Sequence, residues 1–119
     1  MKPIALLLFI AGLLIAADRE GNFKIRFEPT AKVQTQVEVP FDVHVQDALG
    51  KPLPMNADVQ LAIALPGRTP EASVKAWGVG PGEFIAKPQF PSDGQWAVTV
   101  IARRRDEVTQ RTINFIVAE

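Results

Sequence analysis

"GPGEFIAKPQFPSDGQWAVTV", residues Gly80 to Val100, carries the pattern that decides the fold. Apolar and polar residues alternate on both sides of a turn, and a tryptophan stands two residues after Gly94. From Ser92 to Glu119 there is no proline, so this piece is long enough for a helix. Its pattern is that of a strand. Trp96, Val98, Val100 and Ala102 share one face, and Gln95, Thr99 and Arg103 share the other. Trp96, on the inward stripe, is expected to fill the space between two sheets, with Gly94 making the turn before it.

Working outward, the same period recurs along the chain. Phe23, Ile25 and Phe27 alternate with Lys24, Arg26 and Glu28. Odd positions from Val33 to Val45 are apolar or Thr, their even partners are mostly polar, and Pro40 stands on the outward side. The pattern predicts a bend or strand switch at Pro40. Val59, Leu61, Ile63 and Leu65 share a face in "DVQLAIAL", and Phe84, Ala86 and Phe90 continue a further strand. Ile113, Phe115 and Val117 form the last strand, reached through a polar hairpin tip at Arg103 to Glu107. Prolines at nine positions after Pro3 cut most of the rest into pieces too short for helices. Seven or eight short strands, each with one apolar face, make an all-β, immunoglobulin-like sandwich of antiparallel strands.

The chain opens with Lys2 and an apolar run from Ile4 to Ala17. That run has the length of a signal-peptide core and falls short of the roughly 20 residues that span a bilayer. Ala17 is small enough for a cleavage site, and Asp18, Arg19 and Glu20 end the run. Residues 1–17 therefore read as a signal peptide and 18–119 as one domain, extracytoplasmic (periplasmic or secreted) with no stable membrane anchor after cleavage. An uncleaved anchor is the alternative.

Composition narrows the chemistry. The expected mature chain has 12 basic and 13 acidic residues, which gives no basic stripe for nucleic acid. Without cysteine there is no disulfide, no thiolate nucleophile and no zinc–cysteine site. Ser73 and Ser92 lie in no nucleophile motif, and Asp42 beside His44 on one strand face reads as a solvated pair, so no enzyme activity is expected. Asp47 and Asp58 are expected to shape turns rather than ligate calcium. Arg103, Arg104 and Arg105, followed by Asp106 and Glu107, read as a soluble tip rather than a headgroup contact.

"VQDALGKPLPMNADVQLAIAL", followed by a loop and "GPGEFIAKPQFPSDGQWAVTVIARR", resembles the YtkA-like domain and the related extracytoplasmic domain of FixH-type proteins. The matching residues are Asp47, Gly50, Pro52, Pro81, Gly82, Phe84, Gly94, Trp96, Val98 and Val100, within Phe41 to Ala118. The resemblance implies an exported sandwich. For some relatives it implies copper handling through Met and His ligands in the loop before the P-G-x-aromatic motif. Here that loop, Leu65 to Gly80, holds neither residue type. His44 and Met55 are the remaining soft-metal candidates, two ligands where a closed site needs about three or four. No cofactor is expected, with copper as the alternative.

The leading expectation is a non-catalytic binding or accessory module of the cell envelope. Its partner would be another envelope protein, met through the Leu65–Gly80 loop or a sheet edge, with Trp77, Arg68 and Lys75 as contact candidates. Trp77 itself is expected to be buried as a second core residue; exposed, it would be a natural anchor. The alternatives are a copper chaperone-like domain and a purely structural module.

Overall fold

Alternation becomes structure at once in the first strand, where Phe23, Ile25 and Phe27 are buried and Lys24 and Arg26 are exposed. The computed structural model describes residues 22–119. The leader expected at 1–17 and the boundary at Asp18 lie outside the described residues. Eight strands follow in order: β1 (Phe23–Pro29), β2 (Phe41–Asp47), β3 (Asp58–Ala64), β4 (Ala72–Lys75), β5 (Trp77–Gly80), β6 (Glu83–Ala86), β7 (Gly94–Arg104) and β8 (Glu107–Val117).

These strands form two antiparallel sheets, β1-β2-β6-β5 and β4-β3-β7-β8. The chain changes sheet between β2 and β3, between β4 and β5, and between β6 and β7. That order is the immunoglobulin-type arrangement, with β4 as an added strand beside β3.

Trp96 is fully buried at the centre, and its indole N–H donates to the carbonyl of Ser92 at 2.9 Å. Phe90 meets its ring edge-on at 5.9 Å between centroids. Beside it Phe115, the cross-strand partner of Trp96, makes a second edge-on pair with Phe41 at 5.4 Å. Gly94, at φ 107, turns the chain into β7 as expected. The β7–β8 hairpin closes through Arg105 and Asp106, with Arg105 at φ 57 and Arg104 paired to Glu107 across the turn.

The structure departs from the alternation at residues 33–39. No continuous strand runs from Val33 to Val45; β2 begins at Phe41, and Val37 is exposed. Val33 and Thr35 instead hydrogen-bond to Ala118, at the end of the second sheet. Val39 bonds to Pro88, just beyond β6 of the first. Between them the chain crosses from one sheet to the other. The crossing residue is Gln36, at φ 69, rather than Pro40. A non-glycine residue in the left-handed region costs roughly 1 kcal/mol. Here the Gln36 N–H gains the carbonyl of Phe90 in return. A period-two pattern cannot reveal such a switch, because both halves remain extended.

The 51–57 loop closes one end of the sandwich. Leu53 is fully buried, its N–H reaches the carbonyl of Val45, and its own carbonyl accepts from Gly82. Two glycines make this possible. A Cβ on Gly78 would overlap the Met55 carbonyl oxygen, and one on Gly82 would lie 2.7 Å from Pro52 Cβ.

Candidate functional site

Two surfaces of the first sheet carry concentrated chemistry. The first is a groove of about 570 Å³ on the outer face of β1, β2 and β6. Register places its side chains. Arg26 on β1 stands opposite His44 on β2, which stands opposite Glu83 on β6. Lys24 lies one pleat along, opposite Gln46. Their inward neighbours Ile25, Val43 and Val45 are buried, so this row points to solvent. Pro52, Pro81 and Gly82 wall one side, and Arg111 enters from β8 on the other.

Arg111 has an unusual position. It pairs with Val100, which is fully buried, so it starts on the core face of the edge strand β8. Its guanidinium leaves that face and donates to the carbonyl of Ile25 at 2.7 Å. Ile25 can accept because its partner Val45 directs its N–H to Gly82 and its carbonyl to Leu53. The Ile25 carbonyl therefore points off the open edge of the sheet.

The second surface is β5, the short edge strand at the far side of the same sheet. Trp77 is 47% exposed there and Val79 is 49% exposed. This corrects the expectation of a buried Trp77. The small residues beside it explain the outcome. Gly78, rather than the tryptophan, faces the core, because the Met55 backbone occupies the space beneath the strand. Trp77 is left on the outer face opposite Ile85, with Lys87 Nζ 5.6 Å from its ring centroid. β4 and β5 are separated only by Ala76, which is buried and bonds to the carbonyl of Val59. One extended run, Ala72–Gly80, thus forms an edge of both sheets.

The other contact candidates are not gathered at this tryptophan. Lys75 is exposed at the end of β4 and precedes the Ala76 crossing. Arg68 lies in the turn before β4, at the opposite end of that strand from Lys75. Met55 and His44 are also apart. Met55 lies in the loop between β2 and β3 with its backbone against the core-facing side of Gly78 on β5, whereas His44 stands on the outer face of β2. No cluster of three or more His, Cys, Asp or Glu side chains suited to a metal ion occurs among the described residues.

Asp47 does the work expected of a turn residue. Its carboxylate accepts from the Leu49 and Lys51 N–H groups, each at 2.9 Å. The Lys51 N–H is the main reason its pKa lies below the usual value of 3.8. Leu49 N–H and the charges of Arg104 and Lys51 add to this, against a partial loss of hydration. Asp58 stands opposite Arg103 at the start of β3. At the nearby tip, Arg104 also lies over the Phe23 ring at 5.1 Å, and Asn22 bonds to Glu107.

The family described as YtkA-like matches residues 17–101, well over half of the chain. The protein belongs to the YtkA-like family. The match runs from before β1 into β7 and includes Asp47, Gly50, Pro52, Pro81, Gly82, Phe84, Gly94, Trp96, Val98 and Val100. No curated protein matches this YtkA-like chain closely enough to count as a relative. Among solved structures it is similar to the crystal structure of an engineered protein from the Northeast Structural Genomics Consortium, with a TM-score of 0.57 and 16% identity. That likeness covers 81% of the YtkA-like chain and 20% of the other, and at this identity it concerns the fold alone.

The sequence marked Trp77, beside its glycines, as a contact candidate but placed it in the core. It did not mark the groove. Lys24, Arg26 and His44 can each be placed on an outer face by alternation, but their meeting with Arg111 depends on which strands are edges. No periodic signal carries that information.

Proposed function

We propose that this protein is an exported, non-catalytic binding module of the cell envelope, which meets a partner protein along the β4–β5 edge with Trp77 as its anchor. The observation that carries the reading is the half-exposed Trp77 on a four-residue edge strand. Tryptophan is enriched where partners bind, and Val79 two residues on is also about half exposed. An edge strand also offers unpaired backbone groups to an incoming strand. The other edge of the same sheet is less open to such addition, because Arg111 already occupies the Ile25 carbonyl. Export rests on Lys2 and the apolar run from Ile4 to Ala17.

A photo-crosslinking residue at Val79, in cells expressing the full chain, tests the partner. The expected result is a discrete adduct that disappears in Trp77→Ala and persists in Ile116→Ala, an exposed apolar residue on β8. An adduct pattern indifferent to Trp77→Ala would remove this edge from consideration. Fractionation of the same cells tests export, with recovery outside the cytoplasm as the expected outcome.

A further inference from the structure

We propose that the groove on the outer face of β1, β2 and β6 is a binding site for a small molecule bearing two oxyanion groups, carboxylate or phosphate. Lys24, Arg26 and Arg111 are its anchors. This inference is independent of the Trp77 edge.

The chain as a whole is balanced, with 13 basic and 13 acidic residues, but the groove is not. Three cations line it against one acid, Glu83. Among the described residues the one salt bridge is Arg104–Glu107, so no described carboxylate makes an ion pair with these three cations. Glu83 leans away from them. Its Oε1 lies 3.7 Å from where a Cβ of Gly80 would stand, on the β5 side. The charged β1 residues that line the groove, Lys24 and Arg26, are both basic, and the nearest acids on the same outward rows, Glu28 and Asp42, fall outside its lining.

The spacing suits two anionic groups rather than one. Lys24 and Arg26 are successive outward residues of a strand, about 7 Å apart. His44, opposite Arg26, adds an imidazole N–H donor.

The site is also partly preorganised. Arg111 gives one N–H to the Ile25 carbonyl, which fixes the guanidinium and leaves its remaining donors for a ligand. Less side-chain freedom is then lost on binding. On the far wall Gly82, at φ +71, packs directly against Pro52, so two prolines and a constrained glycine hold that side. A volume near 570 Å³ is in the range of small-molecule sites, of roughly 300–1,000 Å³.

The test uses ¹⁵N-labelled protein purified after expression of the full chain, in the form the cell delivers. Citrate and pyrophosphate are titrated separately, with sodium chloride at matched ionic strength as the control. The expected result is saturable shifts confined to Lys24–Arg26, His44–Gln46 and Arg111 with at least one anion. Whether citrate, pyrophosphate or both bind separates carboxylate from phosphate recognition. Lys24→Ala combined with Arg26→Ala, two exposed substitutions, should weaken binding about tenfold or more while leaving the remaining spectrum intact. Arg111→Lys keeps the charge without the planar fork and should weaken it by a smaller factor. Shifts no different from chloride, shifts centred on Lys75 or Lys87, or unchanged affinity in the double variant would each overturn the proposal.

Discussion

Arg111 on β8 and the backbone carbonyl of Ile25 on β1 are joined by a 2.7 Å hydrogen bond that ties the edge strand of one sheet to the edge strand of the other. Arg111→Ala leaves that carbonyl with water as its partner and opens the edge. The expected loss is about 1–2 kcal/mol, the range for a hydrogen bond from a charged donor at a partly exposed site. Urea unfolding reads it as a lower midpoint with an unchanged slope. An unchanged midpoint would mean that the bond contributes nothing net.

Thr109 faces the core two residues before Arg111. Its hydroxyl is buried without a hydrogen-bond partner among the described residues. Thr109→Val removes that polar atom at nearly constant shape, and stability should rise by about 1 kcal/mol. Thermal and urea midpoints should both increase. A decrease would show that the hydroxyl is satisfied in solution.

Gly78 and Gly80 lie two residues apart in β5 and should behave oppositely. An alanine at Gly78 would drive its Cβ into the Met55 backbone, for an expected cost of about 1–3 kcal/mol. At Gly80 the nearest atoms are in ordinary contact with the Glu83 side chain, so Gly80→Ala should change stability by less than about 0.5 kcal/mol. Equal effects at the two positions would contradict the seating of the 51–57 loop beneath the strand.

Asp47 links stability to pH. Its folded pKa is lowered, chiefly by the Lys51 N–H, so the charged form is the one the fold favours. That contribution is complete above the ordinary value of 3.8 and is lost as pH falls through the lower folded value. Asp47→Asn keeps an acceptor for the turn and removes the charge. The wild type should exceed it in stability at neutral pH, with the gap closing below about pH 4 in urea melts. A gap that stays constant on acidification would assign the effect to turn geometry alone.

Much of this architecture was legible in the residues themselves. Alternation placed Phe23, Ile25 and Phe27 inside, and it put Trp96 at the core with Gly94 before it. These are local properties of strands with one wet face. The pattern overran at Val33–Val39, where extended chain changes sheet at Gln36 without changing its period. Trp77 was misplaced for a related reason. A hydrophobic side chain suggests burial, but the space beneath β5 had been taken by a loop some twenty residues earlier in the chain. The groove depends still more on long-range order. Arg111 and Lys24 are far apart in sequence and meet only because β8 and β1 are both edges on the same side of the sandwich.

The run from Ala72 to Gly80 has a mechanical meaning as well. Because β4 and β5 are one piece of chain stitched at buried Ala76, the sheets on that side share a seam rather than presenting two separate borders. Tension applied to either strand passes through a single residue to the other sheet. A pull on this seam would draw both layers together, in shear along their length, instead of peeling one away from the other.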